Sequence, residues 1–157
     1  MNPLQPLLAL LAQTERERDA AWGHAQQAAQ AQQTAAAQAE QLLTYRREYE
    51  QRWGTQFKSE GRMELVLCYR GFIDRLTQAV DQQQRVAQHA TGQMERAREV
   101  LRDHEIRVAS VRKLIERRSH ELRLSADRAE QKQTDEFGAR TAWNHHGLIG
   151  SGAARAA

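Results

Sequence analysis

The chain has 157 residues, of which 27% are charged and 6% aromatic, and carries a net charge of +3; its mean hydropathy is −0.80. Apolar residues are spread thinly instead of gathering in blocks, and Ala, Glu, Lys, Leu and Arg make up roughly half of the chain, which argues against a globular core and for long helices. The only prolines are Pro3 and Pro6, so nothing from Leu7 onward is barred from a helix by a missing N–H or a ring clash, and strands are not expected.

Cys68 is the only cysteine, which rules out an intramolecular disulfide and suits a reducing compartment. The apolar run at residues 7–12 is far shorter than the roughly 20 residues needed to span a bilayer. It also lacks a basic leader and is followed by Glu15 and Glu17, so a cytoplasmic protein without direct membrane insertion is expected. A pI near 9.4 would suit phosphate binding. The basic residues, however, are interleaved with acids, as in Glu15-Arg16-Glu17-Arg18 and Arg102-Asp103, the pattern of a solvated coiled-coil face, and no nucleic-acid partner is expected.

The first helix is predicted over about residues 3–53, starting at the two prolines. Alternating steps of four and three from Leu4 visit Leu8, Leu11, Trp22, Ala25, Ala29, Ala36, Ala39 and Leu43, a heptad seam with small residues in its middle. The Ala/Gln-rich stretch at 25–41 keeps that period and has high helix propensity. The pattern stops at Gly54 and resumes after Gly61, which places a turn at 54–61, short enough to force the flanking helices antiparallel.

The second helix is predicted over about residues 62–141. Its seam runs through Leu65, Tyr69, Phe72, Leu76, Ala79, Val86, Ala90 and Ala97, then slips by one to Leu101, Val108, Ile115 and Leu122. A turn centred midway between Gly54 and Gly61 pairs residues whose numbers sum to about 115, which sets Leu43 opposite Phe72 and Leu4 opposite Val111 and leaves the second helix about 25 residues longer than the first. The Gly/Ala-rich tail at 144–157 is expected to be disordered. The predicted fold is all-α: residues 1–143 form two long helices in one antiparallel coiled-coil hairpin, elongated rather than compact.

Around the turn the apolar arcs are wider than one seam requires. Leu42, Tyr45 and Tyr49, with Gln38, form a second stripe rotated by roughly 120° from the first, while Phe72 and Ala79, with Gln83, extend the arc beside Leu76. These residues either thicken the local core or form a partner site.

No phosphate loop, nucleophile elbow, Cys/His cluster or paired carboxylates in a concave setting occur in the sequence. The histidines share no i, i+4 ligand face, and adjacent Asp135 and Glu136 point about 100° apart on a helix. No enzymatic activity, cofactor or metal is expected.

Three strings carry a resemblance: LLTYRREY (42–49), YRGFIDRLTQAVDQQ (69–83) and ADRAEQKQTDEFGAR (126–140). With them the chain resembles the FliJ family of flagellar type III export proteins over most of positions 38–140. The resemblance implies a hairpin similar to the central stalk of rotary ATPases, with helix termini that enter the pore of the export ATPase hexamer and stimulate it. It also implies contact with the cytoplasmic linker of the membrane export gate, the handling of export chaperones, and a place at the cytoplasmic face of the inner membrane. The gate contacts it implies are Gln38, Leu42, Tyr45, Tyr49, Phe72, Leu76, Ala79 and Gln83. Those with the ATPase are Leu114, Arg118, Leu122, Gln131, Lys132, Asp135, Glu136 and Phe137. A chaperone-like or structural coiled coil, including the injectisome stalk proteins of the same architecture, is the alternative.

Overall fold

The computed structural model describes residues 2–59 and 61–152, with side chains to Leu148. It consists of two helices, α1 (Gln5–Ser59, 55 residues) and α2 (Met63–Gly152, 90 residues), which pack against each other as an all-α hairpin without strands among the described residues. Asn2 caps α1: its side-chain oxygen accepts from the Leu4 N–H at 3.1 Å and its carbonyl from the Gln5 N–H at 3.0 Å, satisfying donors that a helix start leaves free. Pro3 and Pro6 fall in this first turn, where a missing N–H costs nothing.

The helix break lies later than the glycines suggest. Gly54 is inside α1, with open space around it, and a helical glycine there costs about 1 kcal/mol relative to alanine without clashing with anything. Helix continuation is worth more, because it carries Phe57 to Tyr69, ring centroids 5.2 Å apart. The break therefore lies between Ser59 and Met63, not at 54–61. At the other end α2 continues to Gly152, so residues 144–152 are helical, contrary to the expected disordered tail; 153–157 lie outside the described residues. With no proline beyond Pro6, glycine alone weakens that end without breaking it.

The later break shifts the register. The cross-helix pairs Gln38–Gln83, Glu17–His104, Tyr49–Phe72 and Arg46–Thr77 have numbers that sum to about 121, not 115. Gln5 thus stands level with about residue 116, and because α2 continues to Gly152 it outruns α1 by about 36 residues, not 25.

The chain divides into two packing units. In the unit Ala12–Val108 the buried residues are Thr14, Ala21, Ala25, Ala35 and Ala39 on α1 and Leu76, Val80 and Val108 on α2, with Val80 only 1% exposed. Half-buried Arg18, Ala28, Gln32, Leu42, Arg46, Tyr49 and Trp53 fill the gaps in α1, and Tyr69, Ile73, Gln83, Ala87, Ala90, Met94, Ala97, Leu101 and His104 those in α2. Both series step by threes and fours without interruption. Two expectations fail here. The slip before Leu101 does not occur, because the phase of Leu101, Val108 and Ile115 holds throughout, and alternate positions of the seam predicted before it are one residue off: Trp22 is 57% and Val86 47% exposed, while Ala21 is buried and Ala87 half-buried. A reading that follows the most apolar residue picks Trp22 and Val86. The packed hairpin instead takes alanine, which lets two backbones approach closely, and tolerates Thr14, Gln32 and Gln83 so that one heptad phase holds on both helices.

In the second unit, the residues up to Leu11 and those from Ala109 onward, Leu4, Leu7 and Leu11 are half-buried together with Val111, Ile115 and Ser119. From His120 to Leu148 every residue is exposed. No helix among the described residues is long and apolar enough to cross a membrane.

Candidate partner-binding surfaces

Near the connection, Tyr45, Tyr49, Trp53 and Phe57 recur every four residues on α1, a spacing that stacks them along one face. Tyr49 is the hub: its ring centroid lies 4.3 Å from Phe72, 6.0 Å from Tyr69 and 5.8 Å from Trp53. Trp53 and Phe57 complete the ladder at 5.4 Å from each other. Tyr45 touches it only at its end, 6.2 Å from Tyr49, and remains 49% exposed. Burial against these rings pushes the Tyr69 phenol above its ordinary pKa of 10.0, and the nearby Glu50 carboxylate and Tyr49 add to the effect.

The eight residues implied for the gate fall into three groups. Leu76 is buried in the seam, 8% exposed. Leu42, Tyr49, Phe72 and Gln83 are half-buried, and Gln38, Tyr45 and Ala79 are exposed. Gln83 donates from Nε2 to Gln38 Oε1 at 3.0 Å, so these two face each other across the helices. On the opposite flank Arg46 reaches Thr77 Oγ1 at 3.5 Å and lies 3.7 Å from Glu50, while its buried Nε lacks a hydrogen-bond acceptor. Trp53 and Phe57, beyond the predicted stripe, continue the i, i+4 spacing of Tyr45 and Tyr49, and a turn placed at Gly54 cuts that spacing short of Phe57; Tyr69 lies on the predicted seam of α2.

The second surface is the α2 extension. Leu114 is 45%, Leu122 36% and Phe137 74% exposed, and Gln131, Lys132, Asp135 and Glu136 are exposed as well. Arg118 pairs with Glu121 of its own helix at 3.3 Å. By helix geometry Leu114, Arg118, Lys132 and Glu136 fall within about 40° of one another, with Leu122 and Phe137 to one side and Asp135 and Gln131 to the other. Leu124, Trp143 and Leu148 are 41%, 81% and 72% exposed and add apolar area that the implied set omits. Among the described residues no group of three or more His, Cys, Asp or Glu could hold a metal ion.

Fold and surfaces together define a helical-hairpin protein of the coiled-coil kind, with an aromatic tip and a long unpaired helix. The family model described as "Flagellar FliJ protein" matches residues 1–147, and the chain belongs to that family. No curated protein and no solved structure matches it. As a family member it is a component of the flagellar protein export apparatus, and the family is a structural, non-catalytic one.

Proposed function

We propose that this hairpin is a stalk that binds and stimulates the flagellar export ATPase hexamer through the α2 extension, contacts the cytoplasmic linker of the export gate through the tip, and escorts export chaperones, at the cytoplasmic face of the inner membrane. The observation that carries the reading is the α2 segment from His120 to Leu148, which remains exposed throughout and still presents Leu122, Leu124, Phe137 and Trp143 to solvent. A lone helix of this length has little to hold it in water, and apolar side chains distributed along it favour insertion into a protein channel. Exposed Tyr45, with Gln38 and Ala79 beside it, supports the gate contact, since an anchored aromatic at the edge of a rigid cluster makes a good hot spot.

The test is ATP hydrolysis by the export ATPase titrated with the protein. Removal of residues 126–157 should abolish stimulation and leave gate binding intact; stimulation that survives the truncation sinks the stalk reading.

A further inference from the structure

The two helices of the unit Ala12–Val108 can be matched in a second register. Level seam positions, Trp53 with Tyr69 among them, have numbers that sum to 121 or 122, whereas a turn at 54–61 gives a sum of about 115. The difference is one heptad within a residue, so a shift between the two keeps the same faces of α1 and α2 together and changes only the partners. The present partners include misfits. Half-buried Gln32 is level with Ala90 and half-buried Gln83 with Ala39, so two amides sit in separate alanine layers. Arg46 is level with Leu76, and its buried Nε lacks a hydrogen-bond acceptor. In the shifted register Gln32 faces Gln83, where each amide can answer the other's donor with an acceptor, and Arg46 faces Tyr69, on whose ring a guanidinium can stack. The shift loses ring contacts across the helices, Tyr49 with Phe72 at 4.3 Å and Phe57 with Tyr69 at 5.2 Å, and these make the observed register the more populated one. The helix break also has somewhere to go. Gly54 lies inside α1 with open space around it, and a break there yields the longer turn at 54–61 that the shift requires.

We propose that α2 slides along α1 by one heptad, roughly 10 Å, between these two registers. Breaking the aromatic ladder at the tip then re-pairs the whole unit, as far as Thr14, which moves from Val108 to Leu101. The slide belongs to the free chain and does not depend on the gate reading.

The experiment is mild oxidation of full-length protein carrying Cys68→Ser, which removes the only native cysteine, and one engineered cysteine pair, with intramolecular disulfide followed by mass spectrometry. Ala35→Cys with Ala87→Cys reads the observed register, and Ala28→Cys with Ala87→Cys the shifted one. Ala39→Cys with Ala90→Cys is a control for a heptad shift in the opposite direction, which would centre the turn between Glu64 and Leu65, away from both glycines. A disulfide needs Cα atoms within about 7 Å, so a pair one heptad out of register closes only if the helices move. Closure through unfolding favours the shorter loop, that of the control pair. The 28/87 pair should close roughly 10- to 1000-fold more slowly than 35/87 and well ahead of 39/90. Adding Gly54→Ala should slow 28/87 several-fold and leave 35/87 unchanged. Closure of 28/87 no faster than 39/90, or a 28/87 rate indifferent to Gly54→Ala, would each overturn the inference.

Discussion

The tip and the α2 extension are both richer in large apolar side chains than the alanine-filled middle of the hairpin, yet they use them in opposite ways. At the tip, six rings contact one another across two helices, and only Tyr45 keeps about half its surface in water. In the extension Phe137 and Trp143 are 74% and 81% exposed, with no second helix to meet them. Side chains already in contact contribute to folding and can give a partner only their edges. Those left in water contribute little to folding, and only association would bury them.

The widest gap between the regions should appear in stability. Tyr49→Ala removes the hub of the ladder, and since the ring is half-buried its loss should cost about 2–3 kcal/mol, below the range for a fully buried aromatic. Phe137→Ala should cost less than about 0.5 kcal/mol. Chemical denaturation of both variants checks the comparison, and equal destabilisation would mean that the extension packs on something within its own chain. Tyr45→Ala should fall between them, close to Phe137→Ala, because Tyr45 makes a single ring contact.

Function should show the reverse order. Phe137→Ala and Trp143→Ala together should lower stimulation of the export ATPase several-fold with unfolding unchanged, whereas Tyr45→Ala should leave stimulation intact. A double variant that stimulates normally would break the assignment of the extension to the ATPase.

Much of this contrast was legible in the sequence. The heptads of both helices, the short connection and the excess length of α2 follow from spacing alone, because a period over many turns averages out local exceptions. What misled was local: Gly54 suggested a turn, and Trp22 and Val86 suggested seam positions by their apolarity. A helix boundary depends on contacts such as Phe57 with Tyr69, which become available only once the register is known. The eight positions implied for the gate suffer from the same limit. Spacing puts them on one arc, but whether a residue there is buried, like Leu76, or exposed, like Ala79, is decided by a rotation of a few tens of degrees that the heptad pattern leaves open.

A smaller difference should appear at alkaline pH. Folding raises the Tyr69 pKa, so the folded protein holds the phenolic proton more tightly than the unfolded chain. The associated stability is fully present below the ordinary tyrosine value near 10 and is lost as pH rises through the higher folded value. Tyr69→Phe should flatten this alkaline loss in denaturation series, and a slope as steep as wild type's would assign the loss to another group.

The finest comparison uses two glycines with open space around them, Gly71 beside the tip and Gly138 in the extension, neither of which would bring a new Cβ within 4 Å of a neighbouring atom. Alanine at either position lowers the backbone entropy lost on forming the helix, a gain of about 0.5–1 kcal/mol. At Gly71 the helix forms together with the packed seam, so Gly71→Ala should raise the global unfolding free energy by about that amount. At Gly138 the helix stands alone, and a lone helix frays on its own equilibrium. Gly138→Ala should therefore slow amide exchange for several residues on either side of position 138 and leave global unfolding unchanged. If Gly138→Ala instead raises the global value as much as Gly71→Ala does, the extension melts with the hairpin, and its exposed side chains belong to one cooperative unit with the tip.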